Sequence, residues 1–540
     1  MDPYRFIARS PVCIVLALSA LLPLYHWTSH TRSASRLPRS VVIVTLDTTR
    51  ADALAAYGGT NVETPALDRL ALEGVVFEQA TSPAPLTLPA HCSLFTGLFP
   101  PHHGVRDNVD PPLGATQVTL AETLRGHGLR SAAFVGSAVV AARRGLAQGF
   151  DTYSDGQSVN PEPRLRRPAN IVVNEAIDWI TRQEGTPFFA WVHLYDAHAP
   201  YRLPEPYRTM YEDVPYLGAI AFMDAQVARL LKTLDQHHLA EDTIVVVVAD
   251  HGESLGDHDE DSHGILLYET TIRVPLIIRA PGLSPKRVSD VVRLVDVMPT
   301  VLDALGIGGP RTDGVSLVPV MAGRVDHIDL DAYSESLYPR RFGWGELHAL
   351  RAGRFKFVSA PRPELYDLEK DPRERHNIYD ERPELGAVMS AALRRAPFEK
   401  PGAAVTDAAQ PDPESRARLA ALGYVSPARV LRDSHSNEPL DDPKDCIGVY
   451  NTILRAGGVS PMLRPSIAAG RGLETAQRPA LNAASISWPP SFEQRGPCSV
   501  LPSASAILLG HLPSMFVSTR PTDRTPLAAQ SVTGDSTSSR

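Results

Sequence analysis

Cysteine is scarce: Cys13, Cys92, Cys446 and Cys498 are the only four in 540 residues. None stands in a CxxC pair, so neither a zinc knuckle nor a disulfide framework is implied. A Cys446–Cys498 bridge is conceivable, but the spacing does not call for it. An excess of basic charge is also missing. The formal net charge is -8, whereas a nucleic-acid binder would usually show a basic face. No apolar run reaches the roughly 20 residues of a membrane span. The longest near the start, Val12 to Tyr25, is broken by Ser19 and Pro23 and follows Arg5 and Arg9, which is the pattern of a signal-peptide core. A small-x-small cleavage site does not follow in HWTSHTRSAS. Residues 1–38 are therefore read as a signal peptide or an uncleaved signal anchor, with an N-terminal helix of a cytosolic fold as the bland alternative. Both preferred forms place the folded part outside the cytoplasm, periplasmic or secreted, and the anchor form attaches it to a membrane.

What is present is the composition of a globular protein, 43% hydrophobic and 21% charged. Arg39 to Leu46 (RSVVIVTL) is a β-branched run with almost no polar break, as expected for a strand buried on both faces. Ser131–Val139, Pro187–Leu194, Thr243–Ala249 and Val274–Arg279 read as further strands. Thr64–Leu72 and Tyr216–Asp235 have helical spacing, the first with Thr64 and Pro65 as cap and first-turn residue. This alternation implies an α/β fold: a large mixed, mostly parallel sheet flanked by helices, here residues 39–325. Residues 326–456 read as a smaller C-terminal α+β subdomain, with paired strands in LHALRAGRFKFVSA and a turn-rich ELYDLEKDP. From Gly457 to Arg540 there are ten prolines, fourteen serines, no lysine and four acidic residues. That composition marks 457–540 as low-complexity and disordered. The abrupt change after Arg455 would also follow from a shifted reading frame, which resequencing of the gene's 3′ end would test.

Asp47 and Asp250 each follow a buried strand, and in open α/β sheets ligands lie beyond the strands' carboxyl ends. Three segments carry the chemistry: VTLDTTRAD (44–52), PLTLPAHCSLFTGLFPPHHGVRDN (85–108) and VVADHGESLGDHDEDSHGILLYE (247–269). Singly, each has a plain reading as a helix cap, a turn or a solvated loop. Jointly and in this order they resemble the sulfatase family of the alkaline phosphatase superfamily. RLVDVMPTVLDALGI (293–307) and ELYDLEKDP (364–372) look like its later landmarks. The resemblance implies an alkaline phosphatase/sulfatase-like fold with one or two divalent metals at the strand ends.

Typical sulfatases carry C-x-P-S-R before a T-G pair, and the Cys becomes formylglycine. Aligned on Thr96 and Gly97, this chain reads Thr87-Leu88-Pro89-Ala90-His91. Thr87 stands for the Cys and His91 for the Arg, so formylglycine chemistry is excluded on this alignment. A threonine ester cannot collapse to an aldehyde and must be opened by water or another acceptor. The resemblance implies Asp47, Asp250, His251 and Thr87 as metal ligands, the metal activating the hydroxyl. Thr48 replaces a second Asp of the family. The remaining nitrogen and oxygen donors favour zinc or manganese over calcium or magnesium. His198, in HLYDAHAPY, and His263, near the place of a family lysine, are expected beside the substrate's oxygens as catalytic groups. Asp196 could alternatively join His198 or His263 around a second metal. Asn108, Arg106 and His258 are further pocket candidates. The implied function is hydrolysis of sulfate or phosphate esters through a covalent intermediate on Thr87. Two rivals stay open: phosphoethanolamine- or phosphoglycerol-type transfer to an envelope glycan or lipid, and a degenerate binding module.

Overall fold

The computed structural model describes residues 37–156, 165–183, 185–395 and 440–456. The N-terminal segment and the tail lie outside these residues. Among the described residues, no helix is long and apolar enough to cross a membrane. Cys92 is a buried free thiol and Cys446 is disulfide-bonded, while Cys13 and Cys498 lie outside the described residues.

Eight strands form the main sheet: β1 (Ser40–Leu46), β2 (Val75–Thr81), β3 (Arg130–Val135), β4 (Thr152–Ser154), β5 (Phe188–Leu194), β6 (Thr243–Val248), β7 (Arg273–Arg279) and β8 (Lys286–Arg293). Their spatial order is β4-β3-β5-β1-β6-β7-β2-β8. Only β7 runs against its neighbours; the other pairings are parallel. The sheet is thus mixed and mostly parallel, as the sequence led us to expect. Side chains alternate across the central strand with period two. Val41 and Ile43 enter one core with Leu88, Leu94 and Val301, while Val42, Val44 and Leu46 enter the other with Leu67, Val173 and Leu230. Each of these buried valines stabilises the fold by roughly 1.5–3 kcal/mol relative to an exposed one. The helices Pro65–Glu73, Ala169–Ile180 and Pro215–Gln236 cover the second face, and Thr87–Thr96 and Val297–Ala304 cover the first.

A second, antiparallel sheet has the order β12-β11-β10-β9. It is built from β9 (Asp331–Ser336), β10 (Leu347–Ala352), β11 (Phe355–Ser359) and β12 (Glu364–Asp367). LHALRAGRFKFVSA forms the expected pair, β10 and β11. ELYD is a strand instead of a turn, because Leu365 and Tyr366 are buried on opposite faces of the sheet, in two different cores.

Register brings the chemistry to one edge. Leu46 pairs with Leu194 and Thr45 with both His193 and Val248. Two residues beyond Thr45 and Val248, Asp47 and Asp250 arrive level with each other.

Candidate active site

Asp47, Asp250 and His251 offer ligand atoms that all lie within 4.8 Å of one another, and all three side chains are buried. The backbone between the carboxylates is held in an unusual shape. Thr48 has φ 52°, a left-handed conformation that a β-branched residue adopts only under constraint. In that shape its N–H donates to Asp250 Oδ1 at 3.2 Å, and the His251 N–H donates to the same oxygen at 2.8 Å. Asp47 Oδ1 and Asp250 Oδ2 are buried with no hydrogen-bond partner among the described residues. Burial pushes the Asp47 carboxyl up to about 7. It also raises that of Asp250, with the nearby Asp47 carboxylate second. Two buried carboxylates with open lone pairs beside an imidazole fit a divalent cation, whose charge would offset the cost of their ionisation. His251 Nδ1 bonds the Gly252 carbonyl at 2.9 Å, leaving Nε2 to face the carboxylates. Gly252 is required there, because a Cβ would meet the Thr270 carbonyl oxygen at 2.1 Å.

Thr87 opens the helix Thr87–Thr96, every residue of which is buried. Its Oγ1 lies 3.3 Å from His251 Nε2. Asn108 accepts the Leu88 N–H at 2.8 Å, fixing the helix start, and its buried Nδ2 has no partner among the described residues. His91 lies one turn on. Its Nδ1 donates to the Thr87 carbonyl at 2.7 Å, and its Nε2 lies 3.2 Å from Thr45 Oγ1. Burial lowers its pKa to about 4, so a neutral ring packs beside Thr87, 3.5 Å from Asp250 Oδ2.

His198 and His263 stand on the other side. Their ring centroids are 5.1 Å apart, and those of His263 and His251 are 4.4 Å apart. His263 Nδ1 is 3.0 Å from Glu253 Oε1, and His198 Nδ1 donates to the Ala199 carbonyl at 2.7 Å. Burial depresses both imidazoles, His263 to about 4 and His198 well below its usual range, and raises Glu253 to about 8. Asp196 is turned away from this group. Its Oδ2 accepts the Ala169 N–H at 3.0 Å and caps the helix Ala169–Ile180, and no second metal cluster occurs among the described residues. Arg106 is spent on the buried Glu335, its Nε at 2.7 Å. His258 stacks on Tyr268 and bonds the Arg373 carbonyl at 3.0 Å. Of the three further candidates, Asn108 alone is bonded to the Thr87–Thr96 helix in this arrangement.

Two residues escaped the sequence reading. His193, at the end of β5, accepts the Gly136 N–H on Nδ1 at 3.2 Å, so Nε2 carries the proton and donates to Asp47 Oδ2 at 3.1 Å. Gly136 is needed for that approach, since a Cβ would meet the His193 carbonyl oxygen at 3.0 Å. The available signal was an ionisable residue ending an apolar strand, as at Asp47 and Asp250. The other is Glu253. Arg50 bonds its carbonyl and that of Ser254, each at 3.2 Å, and ties the β1 loop to the 250–260 loop. A His193→Ala substitution should weaken metal binding about 10–100-fold, as removal of a ligand's orienting partner does. Competitive metal titration would read this, and an unchanged affinity would contradict the role.

The family model for sulfatases matches residues 39–307, and that for the C-terminal part of N-sulphoglucosamine sulphohydrolases matches residues 262–395. An arylsulfatase of Clostridium perfringens is 25% identical over 437 residues, covering 63% of this chain and 90% of that one. A ulvan-active sulfatase of Formosa agariphila is 27% identical over 394 residues, covering 63% and 76%. The phosphonate monoester hydrolase of Agrobacterium radiobacter superposes with a TM-score of 0.58 at 23% identity, covering 66% of this chain and 95% of that one. A 2-O GAG sulfatase superposes at 0.56 and 22%, covering 66% and 91%; at such identities the likeness speaks for the fold. Family match, fold and buried ligand cluster agree: the chain belongs to the sulfatase family of the alkaline phosphatase superfamily, and is a metal-dependent hydrolase of sulfate- or phosphate-type esters.

Proposed function

We propose that this protein cleaves its ester with Thr87 as nucleophile, in place of the formylglycine of typical sulfatases. The observation carrying this reading is Thr87 Oγ1 at 3.3 Å from His251 Nε2, at the start of a buried helix beside two carboxylates whose oxygens Asp47 Oδ1 and Asp250 Oδ2 have no hydrogen-bond partner among the described residues. Asp47, Asp250 and His251 would hold a divalent cation, zinc or manganese by their donor types, and such a cation supplies charge that stabilises an alkoxide. Thr87 Oγ1 forms a bond to the phosphorus or sulfur as the ester oxygen departs. The hydroxyl's proton is balanced by the one the leaving alcohol gains, with His263 and His198 as the groups to pass it. Water then opens the threonine ester and restores the hydroxyl. The positive end of the Thr87–Thr96 helix dipole favours the anionic group, and Asn108 Nδ2, unpartnered among the described residues, supplies a donor. His91 acts from behind, holding the Thr87 carbonyl and the Asp250 side.

For the organic part of the substrate we infer a sulfated or phosphorylated glycan outside the cytoplasm, since relatives include a ulvan-active sulfatase and an N-acetylglucosamine-6-O-sulfatase. The rival is transfer to an envelope acceptor. Purified protein given zinc or manganese and matched aryl phosphate and aryl sulfate esters should release the phenol without an added alcohol. Release only with an added acceptor would favour the transferase, and release from neither ester would refute both.

A further inference from the structure

The loop that follows the metal ligands carries Glu253 and His263 and does not have a relaxed backbone. Leu255, His258 and Asp259 all take left-handed φ values, 53°, 52° and 61°. Three non-glycine residues keep that shape only where the surroundings over-determine it. Part of the constraint is internal. The buried Glu260 accepts Ser254 Oγ at 2.8 Å and the Ile265 N–H at 3.0 Å.

A further part comes from the helix Pro443–Ala456, which lies beyond both family matches. Cys446, Ile447, Tyr450 and Leu454 recur at helical spacing and are buried in the same core as Leu88 and Ile265. From that seat, Asn451 Oδ1 accepts the Asp261 N–H at 3.0 Å and Asn451 Nδ2 donates to the Asp259 carbonyl at 2.6 Å. The Tyr450 hydroxyl donates to the His263 carbonyl at 3.0 Å. Arg455 Nε closes the set on Asp261 Oδ2 at 2.9 Å. The two Asn451 bonds bracket residue 260, and the Tyr450 bond grips the backbone of the imidazole that packs on His251.

We propose that Tyr450 and Asn451 are positioning residues of the active site, holding the loop so that His263 faces the reacting ester. This rests on the hydrolase reading above. The test uses the full chain with Asn451→Ala and, separately, Tyr450→Phe. Amide exchange of residues 259–265 should quicken about tenfold in Asn451→Ala, while β1 and β6 exchange as in wild type and metal affinity stays within about twofold. The fall in kcat should be about tenfold for an alkyl ester and small for a nitrophenyl ester, because only a poor leaving group needs help at the leaving oxygen. Unchanged loop exchange would overturn the proposal. So would a kcat loss equal for both esters and proportional to lost folded protein. Exchange is read without substrate, so an inactive wild type would count against the hydrolase reading while the exchange result still decides the clamp.

Discussion

Thr87→Ala should lower kcat/KM by at least about a thousandfold, some 4 kcal/mol of transition-state stabilisation, because it deletes the proposed nucleophile. Metal affinity should fall far less, since Asp47, Asp250 and His251 keep their cluster. Thr87→Ser keeps the hydroxyl and loses one methyl in a fully buried helix. It should retain a measurable fraction of activity, with a stability loss of about 1 kcal/mol. This pair separates nucleophilic attack from attack by a bound water, which Thr87→Ala would spare. Steady-state kinetics of the three proteins on one aryl ester decide the matter.

Asp250→Asn should abolish activity and yet make the metal-free protein no less stable than wild type. Asp47 and Asp250 are buried side by side, and burial holds the Asp47 carboxyl protonated up to about 7. The unfolded chain loses that proton near 4. Between those values the folded, metal-free state binds more protons, so its stability is fullest below about 4 and declines as pH rises through 7. Bound metal requires the ionised carboxylates and reverses this trend. Wild-type protein should therefore gain more Tm from added zinc or manganese at pH 8 than at pH 5. In Asp250→Asn the metal should raise Tm little at either pH, and the chelated variant should melt no lower than chelated wild type. Calorimetry with and without chelator reads both effects. A variant that still gains the wild-type Tm increment would remove Asp250 from the ligand set.

The sequence exposes the sheet's buried strands and hides its borders. RSVVIVTL and TIVVVV are legible because a strand covered on both faces must be apolar throughout. The edge strand β8, KRVSDVVR, is half-solvated, and its pattern is that of a loop. Direction is hidden as well: β7 runs antiparallel, and a strand buried on both faces reads the same in either orientation. At the site, Asp47, Thr87, Asp250 and His251 stand out because their motif order encodes them. His193 and Glu253 do not, since each takes its place only through a partner distant in the chain or around a loop, His193 through Gly136 and Asp47 and Glu253 through His263. Arg106 and His258 show the reverse failure. They sit inside the motif segments, yet Glu335 and the Arg373 carbonyl, both far off in sequence, claim their side chains.

The central claim is a bond between Thr87 and the transferred group, and rapid-quench mass spectrometry tests it most directly. Metal-loaded enzyme mixed with excess aryl phosphate or sulfate ester and quenched in acid should carry one added phosphoryl or sulfuryl group. Peptide mapping should place it on Thr87, and it should be absent from Thr87→Ala. A turning-over enzyme that never carries the group, or carries it on another residue, would contradict the account.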